Sequence, residues 1–93
     1  MTTAPLSGIR VLDLTRVLSG PHCTRMLCDL GAEVIKLEPP EGDLTRFSYP
    51  RVGSMATYFA QQNAGKEDIS FDLSKPEAQE LTRQLADTCD VLV

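Results

Sequence analysis

Apolar residues in this chain are grouped into short runs separated by longer mixed segments. Four runs are typical of buried strands, and they lie at Val11–Leu14, Val34–Leu37, Ile69–Leu73 and Asp90–Val93. Two segments between them, near Pro21–Leu30 and Lys75–Thr88, each carry one apolar stripe at helical spacing. Strands that alternate with helices predict an α/β fold, in which helices cover both faces of a mainly parallel sheet.

Turn-forming residues predict where the two helices begin and end. Gly31 is expected to stop the first helix, because the position after a last helical turn often takes a left-handed conformation. Ser74 and Glu77 have the spacing of a capping box at the start of the second helix. The stripe of the first helix that is expected to face the core consists of Cys23, Met26, Leu27 and Leu30.

The middle of the chain predicts less regular structure. A polar loop rich in proline and glycine is expected over residues 39–53, followed by a short helix at Ser54–Gln62. Asn63–Lys66 is expected to be a turn with Gly65 at a positive φ.

Composition narrows the class of protein. The chain has 93 residues, of which 42% are hydrophobic, and a net charge of −4. The negative charge argues against nucleic-acid binding, since no basic face can dominate the surface. No apolar run approaches the length of a membrane span, and no signal peptide is evident. Three cysteines fit reduced thiols better than a disulfide framework, so we expect a cytoplasmic protein that does not contact membranes.

The last residues, Cys89–Val93, have the composition of a buried strand that has just begun. Natural domains rarely end inside a central strand, so residues 1–93 are expected to be the N-terminal part of a longer domain. A naturally short protein that ends in an edge strand is the alternative.

The predicted sheet also indicates where a ligand would bind. Parallel sheets bind ligands beyond the carboxyl ends of their strands, which points to Thr15–Gly20, Glu38–Gly42 and Leu73–Lys75. The first of these turns lacks the G-x-G-x-x-G pattern of NAD-binding proteins, so an NAD site is missing its main fingerprint.

Other chemically notable residues favour structural roles. His22, Cys23 and Cys28 lack the spacing of metal ligands on one helix face, so we predict no metal site, and Cys23 is expected in the core. Asp13 interrupts an apolar strand and is expected to be a structural hydrogen-bonding group rather than an acid catalyst.

Four segments carry a resemblance to a known family. They read PLSGIRVLDLTRVLSGP, GAEVIKLEPPEGDLTR, NAGKEDISFDLSKPE and ADTCDVLV, and together they cover nearly the whole chain. In this order they resemble consecutive N-terminal blocks of the family III (CaiB/BaiF) CoA-transferases. The resemblance implies a Rossmann-like large domain built from both ends of a longer chain, a smaller second domain and an interlocked homodimer.

The resemblance also implies the chemistry. The substrates would be acyl-CoA thioesters and carboxylic acids, and a downstream aspartate would carry a covalent acyl-anhydride intermediate. That aspartate would lie beyond Val93, so none of the residues in this chain is expected to be catalytic, and the chain alone is expected to be inactive.

Members of the family use the ends of the first three strands to contact CoA. Carried over to this sequence, the CoA-binding residues are Arg16, Val17, Leu18, Ser19, Pro39, Phe71, Leu73, Ser74 and Lys75. Formyl-CoA transferase has a glutamine at the position of Leu18, so the leucine here indicates a less polar acyl group. Pro39 offers packing where a basic residue can bind phosphate. The resemblance gives Lys66 no role in CoA binding.

Two alternatives to the transferase remain open. An α-methylacyl-CoA racemase would move a proton next to the thioester and would need a downstream acid–base pair. A non-catalytic CoA-binding module would need no further residues. The residues after Val93 would discriminate between the transferase and the racemase. A lone nucleophilic aspartate there fits transfer, and a histidine with an acid fits racemisation.

Overall fold

The computed structural model describes residues 4–93, so the first three residues of the predicted domain lie outside it. The chain alternates short strands and helices. In order, the elements are β1 (Arg10–Asp13), α1 (Ser19–Asp29), β2 (Glu33–Glu38), a 3-10 turn (Leu44–Phe47), β3 (Arg51–Val52), β4 (Met55–Ala56), α2 (Thr57–Asn63), β5 (Glu67–Ser70), α3 (Pro76–Asp87) and β6 (Val91–Leu92).

Four of the strands form one parallel sheet, as the hydrophobic pattern predicts. The strand order is β5-β2-β1-β6, and Val11 of β1 is in register with Val34 of β2 and Val91 of β6. The chain moves outward from β1 to β5 on one side and then returns to the other side of β1 with β6. In doubly wound folds such a reversal creates a crevice at the carboxyl ends of the strands.

Helices cover both faces of this sheet, which confirms the predicted layers. Neighbouring residues of β1 point to opposite sides, so Val11 and Leu12 belong to two separate apolar clusters. Leu27 of α1 packs on the Val11 side, and Leu85 of α3 packs on the Leu12 side.

The end of α1 is the glycine-dependent stop that the sequence predicts. Gly31 has a φ of +106°, and its N–H donates to the carbonyl of Cys28 while the N–H of Ala32 donates to that of Leu27. These two bonds form a Schellman motif. A Cβ atom on Gly31 would lie 2.4 Å from the Cβ of Ala4, so space as well as φ favours glycine. Gly65 also has the predicted positive φ, +84°.

The buried face of α1 differs from the predicted stripe. Cys23 is exposed rather than in the core, and Met26 and Leu30 are about half exposed, whereas Pro21 and Thr24 are buried. The reason is a hydrogen bond: the hydroxyl of Thr24 donates to the buried carboxylate of Asp13 at 2.7 Å. This bond turns the face of α1 that carries Thr24 towards the sheet.

Three segments differ from those predicted. Pairing with β2 places β5 at Glu67–Ser70, so Phe71–Leu73 is a loop beyond the strand rather than its end. The predicted loop over residues 39–53 contains the 3-10 turn and β3, which pairs with β4 as an antiparallel hairpin. The predicted helix at Ser54–Gln62 therefore starts only at Thr57.

The capping box predicted for α3 does not form. Lys75 occupies the N-cap position without a side-chain cap, and the Ser74 hydroxyl donates instead to the carboxylate of Asp72 at 2.6 Å. Asp72 also accepts the backbone N–H of Ser74, so the three-residue turn satisfies itself locally.

A buried ion pair joins the sheet to the segment before β5. The Lys66 ammonium lies 3.0 Å from the Asp13 carboxylate, and both side chains are at most 1% exposed. Lys66 also donates to the carbonyl of Pro21 and to the side chain of Asn63. The ammonium group therefore makes three hydrogen bonds inside the protein, to Asp13, Pro21 and Asn63. This arrangement gives Lys66 a structural role.

We expect Lys66→Met to lower the free energy of unfolding by about 3 kcal/mol or more, because Asp13 would keep a buried charge without its partner. Urea denaturation measures the loss. Arg83→Met is the control, since the Arg83–Glu80 pair is mostly exposed and contributes little. Equal losses in the two variants would contradict the structural importance of the buried pair.

Candidate functional site

The carboxyl ends of β1, β2 and β5 meet at one edge of the sheet and enclose a shallow cavity of about 170 Å³. Four of the residues predicted to bind CoA line it together: Arg16, Pro39, Phe71 and Leu73. The remaining lining residues are Leu14, Leu37 and Glu38. The cavity has an apolar interior with one cationic side chain, Arg16, at its wall.

The other predicted site residues lie next to this cavity in sequence but outside its lining. Val17 and Leu18 continue the loop that follows Arg16 and are exposed, and Ser19 is the first residue of α1. Ser74 and Lys75 follow Leu73 in the turn that leads into α3.

The loop after β1 has an unusual backbone. Val17 has a φ of +75°, the one positive φ of a residue other than glycine in the described part of the chain. Such a φ is unfavourable for a β-branched residue and persists only where neighbouring groups impose it. The Val17 N–H donates to the Asp43 carboxylate, with distances of 3.3 and 3.2 Å to its two oxygens.

A second buried ion pair supports that contact. The Lys36 ammonium lies 3.1 Å from Asp43, and both side chains are at most 1% exposed. Lys36 also donates to the carbonyl of Thr15 at 3.0 Å, so the pair holds the loop at two backbone positions. Neither Lys36 nor Asp43 was among the residues predicted from the sequence to shape the site. A lysine inside the apolar run VIKLE was the available signal, since a lysine there must find a buried partner.

Hydrogen bonds keep both buried aspartates charged. Burial would raise the pKa of Asp13, but hydrogen bonds from Thr15, Thr24 and Lys66 outweigh it and hold the pKa below its usual value. Burial opposes ionisation of Asp43 in the same way, and bonds from Thr45, Lys36 and Val17 lower its pKa.

In the described part of the chain, one arginine and one lysine have side chains without a partner, unlike the other lysines and arginines. The chain has nine such residues. Within residues 4–93, Arg16 and Lys75 have neither an ion-pair partner nor a hydrogen-bond acceptor for their side chains, and both are exposed. The others pair with carboxylates, except Arg51, which donates to a carbonyl and lies over Tyr49. The two available positive charges therefore both belong to predicted site segments.

An acidic pair lies beside the cavity. Arg46 bridges Glu38 at 2.5 Å and Asp68 at 2.6 Å. Burial would raise the pKa of Glu38, but bonds from Arg46, Asp68 and the Asp43 N–H bring it down to about 2. Burial, together with the hydrogen bond and negative charge of Glu38, raises the pKa of Asp68 to about 6. Under mildly acidic conditions a neutral Asp68 therefore lies beside a charged Glu38.

Between residues 4 and 93, His, Cys, Asp and Glu form no group of three that could hold a metal ion. Over the same range, none of the helices is long and apolar enough to cross a membrane.

Comparison with known proteins gives a consistent result. Residues 6–93 match the sequence model of CoA-transferase family III. Human succinyl-CoA:glutarate CoA-transferase is 47% identical over 91 residues, which cover 96% of this chain and 21% of that protein. Formyl-CoA:oxalate CoA-transferase from Rhodopseudomonas palustris is 46% identical over 95 residues, covering 98% and 22%.

Solved structures extend the likeness to the fold. A CaiB/BaiF family protein from Brucella suis superposes with a TM-score of 0.90 at 44% identity, over 98% of this chain and 25% of that one. The chain thus spans about a fifth to a quarter of the length of the proteins it matches.

The acidic pair generates a pH prediction. The pKa of Asp68 is higher in the folded protein, about 6, than its ordinary value of 3.8. Asp68 therefore contributes stability that is complete below pH 3.8 and lost as the pH rises through 6. We expect Asp68→Asn, which stays neutral, to lose less stability than the wild type between pH 4.5 and pH 7, as measured by urea denaturation.

The pH range avoids the opposite contribution of Glu38, whose stabilising charge is lost only as the pH falls from 4.5 towards 2. Asp87→Asn is the control, because Asp87 is an exposed residue at the end of α3. A pH dependence unchanged by Asp68→Asn would contradict the raised pKa of Asp68.

Proposed function

The chain belongs to CoA-transferase family III, and on that premise we propose that it is the N-terminal, nucleotide-binding segment of an enzyme that moves CoA from an acyl-CoA thioester to a carboxylic acid. The bound part would be the nucleotide end of CoA, held at the carboxyl edge of the sheet. The observation that carries this assignment is the cavity in which Arg16, Pro39, Phe71 and Leu73 meet.

The shape and charge of the cavity suit an adenine nucleotide. Its wall combines one aromatic ring with aliphatic side chains, and a flat base gains from stacking on such a surface. Phe71 is half-buried, so the ring is anchored in the sheet cluster while part of it remains accessible. Proline at position 39 supplies a rigid apolar wall at the end of β2.

Two cations near the cavity suit phosphates, and the negative charge of Glu38 in the lining is already paired with Arg46. Arg16 and Lys75 have no partner among the described residues, so neither must give up an existing ion pair to bind an anion. Lys75 is the N-cap residue of α3, and the N–H groups of a helix start also favour anions. An arginine presents several donors in a planar fork, which matches the oxygens of a phosphate.

The transfer step is assigned to residues beyond this chain. A downstream aspartate would attack the thioester carbonyl, the carbon–sulfur bond would break, and the acyl group would remain on the carboxylate as a mixed anhydride while CoA leaves as the thiolate. The role of residues 1–93 would be to hold CoA during that exchange. The human and Rhodopseudomonas palustris relatives described above are both named CoA-transferases, which favours transfer over racemisation.

The residue at position 18 bears on the polarity of the acyl group. Leu18 is exposed in the loop after β1, where an apolar side chain favours a less polar acyl group. The succinyl-CoA:glutarate and formyl-CoA:oxalate enzymes are nearly equally similar to this chain, so overall identity does not select between their substrates. We further propose that the full-length protein is a homodimer, as the family resemblance implies, and that it is cytoplasmic, as its three cysteines indicate.

The first test addresses the aromatic wall of the cavity. In the full-length protein, Phe71→Leu keeps an apolar side chain against the sheet but removes the ring. Because stacking of a base on an aromatic ring contributes roughly 1–3 kcal/mol, we expect CoA binding to weaken by about fivefold to a hundredfold. Isothermal titration calorimetry with CoA measures the change.

Phe47→Leu is the matched control for this test. Phe47 is 60% exposed on the 3-10 turn, outside the cavity, so its replacement should leave the affinity for CoA unchanged. Equal affinities of Phe71→Leu and the wild type would exclude stacking on Phe71.

The second test addresses the two cations. We expect Arg16→Gln and Lys75→Gln each to weaken CoA binding about fivefold, because an exposed phosphate contact contributes on the order of 1 kcal/mol. The effect should shrink in high salt, since these charges are screened by solvent. Arg83→Gln, an exposed arginine of α3, is the control.

A fragment of CoA makes this test specific for the nucleotide end. The same variants should weaken binding of 3′-phosphoadenosine 5′-diphosphate by the same factor as CoA. A loss for CoA without a loss for the fragment would place the cations at the pantetheine arm instead.

A further inference from the structure

The loop after β1 is held in place by charged groups that come from elsewhere in the chain. Asp43 lies at the start of the 3-10 turn and accepts the N–H of Val17, although the two residues are 26 positions apart. Lys36 lies on β2 and donates to the carbonyl of Thr15. The pair thus contacts the backbone of the loop on both sides of Arg16.

We propose that Lys36 and Asp43 are positioning residues for CoA binding: they hold Val17 in its left-handed conformation, so that Arg16 and Leu18 face the ligand before it arrives. The inference rests on the proposed function, because the ligand of the loop is taken to be CoA. Neither residue is assigned a contact with the substrate.

The burial of the pair supports this role. Both side chains are at most 1% exposed, and a buried ion pair is often no more stabilising than apolar residues of similar size. Stability alone therefore gives no reason for two charges here. Their directed contacts to Thr15 and Val17 do, because an apolar pair would leave this N–H and this carbonyl without the partners they now have.

The backbone of Val17 provides the independent evidence that something is being held. A β-branched residue adopts a φ of +75° only at a cost, and the described contact that opposes this cost is the hydrogen bond to Asp43. A loop released from Asp43 would return to a φ below zero, which would redirect the side chains on both sides of Val17.

A double-mutant cycle in the full-length protein tests the inference with CoA as the probe. Asp43→Ala removes the acceptor of the Val17 N–H and should weaken CoA binding about fivefold to thirtyfold, which is the size expected when a strained conformation is no longer enforced. Glycine adopts a positive φ without strain, so in a Val17→Gly background the same Asp43→Ala change should cost less than threefold.

Control measurements separate positioning from general destabilisation. Leu27→Ala weakens the core on the α1 side of the sheet but touches none of the loop contacts, so the affinity for CoA should stay that of the wild type. An equal loss on Asp43→Ala in both Val17 backgrounds would overturn the inference.

Amide hydrogen exchange tests the inference without a variant that must fold. The Val17 N–H of the wild-type protein should be protected before CoA is added, and CoA should add little protection. Exchange at the rate of an unstructured peptide would overturn the positioning role.

Different results would overturn the assignment of CoA as the ligand and the positioning role of Lys36 and Asp43. If the wild-type protein binds no CoA but its Val17 N–H is protected from exchange, the assignment of CoA as the ligand is wrong. CoA binding that is unaffected by the cycle overturns the positioning role and leaves the proposed function standing.

Discussion

Two buried ion pairs, Asp13–Lys66 and Lys36–Asp43, tie the carboxyl ends of β1 and β2 to the turns around them. Each removes two charges from water, which is costly, and the cost is offset only because further hydrogen bonds satisfy each group. Asp13 binds Thr15 and Thr24, and Asp43 binds Thr45 and Val17. The position of α1, the path of the loop after β1 and the strained φ of Val17 all follow from these contacts.

The need of buried charges for partners divides the lysines and arginines of the described chain into two groups. Those that are buried or paired stabilise the fold, as Lys36 and Lys66 do. Arg16 and Lys75 have no partner in the described chain and lie on the two segments where a parallel sheet binds ligands. A site for a phosphate-bearing ligand needs such available charges, and a rigid framework beneath them keeps the entropy loss on binding small.

The order of elements could be predicted from the sequence, and so could the edge of the sheet at which this cavity lies. Strand positions follow from apolar runs, and the stop of α1 follows from Gly31, because both depend on residues that are close along the chain. The site residues Arg16, Pro39, Phe71 and Leu73 were proposed from a family resemblance, and they share one cavity. The predictions that failed, such as the buried Cys23 and the Ser74 cap, assumed that a local pattern would outweigh its surroundings.

Local pattern by itself determined the strands, the helices and their parallel arrangement, because hydrophobic periodicity is a property of neighbouring residues. Only the tertiary structure decided which face of α1 is buried and what holds the loop after β1. Thr24 is buried because Asp13, on another element, needs its hydroxyl. Val17 has a positive φ because Asp43, distant in sequence, accepts its N–H. Hydrogen bonds between groups far apart in the chain leave no periodic signal, so the three-dimensional structure alone brings them together.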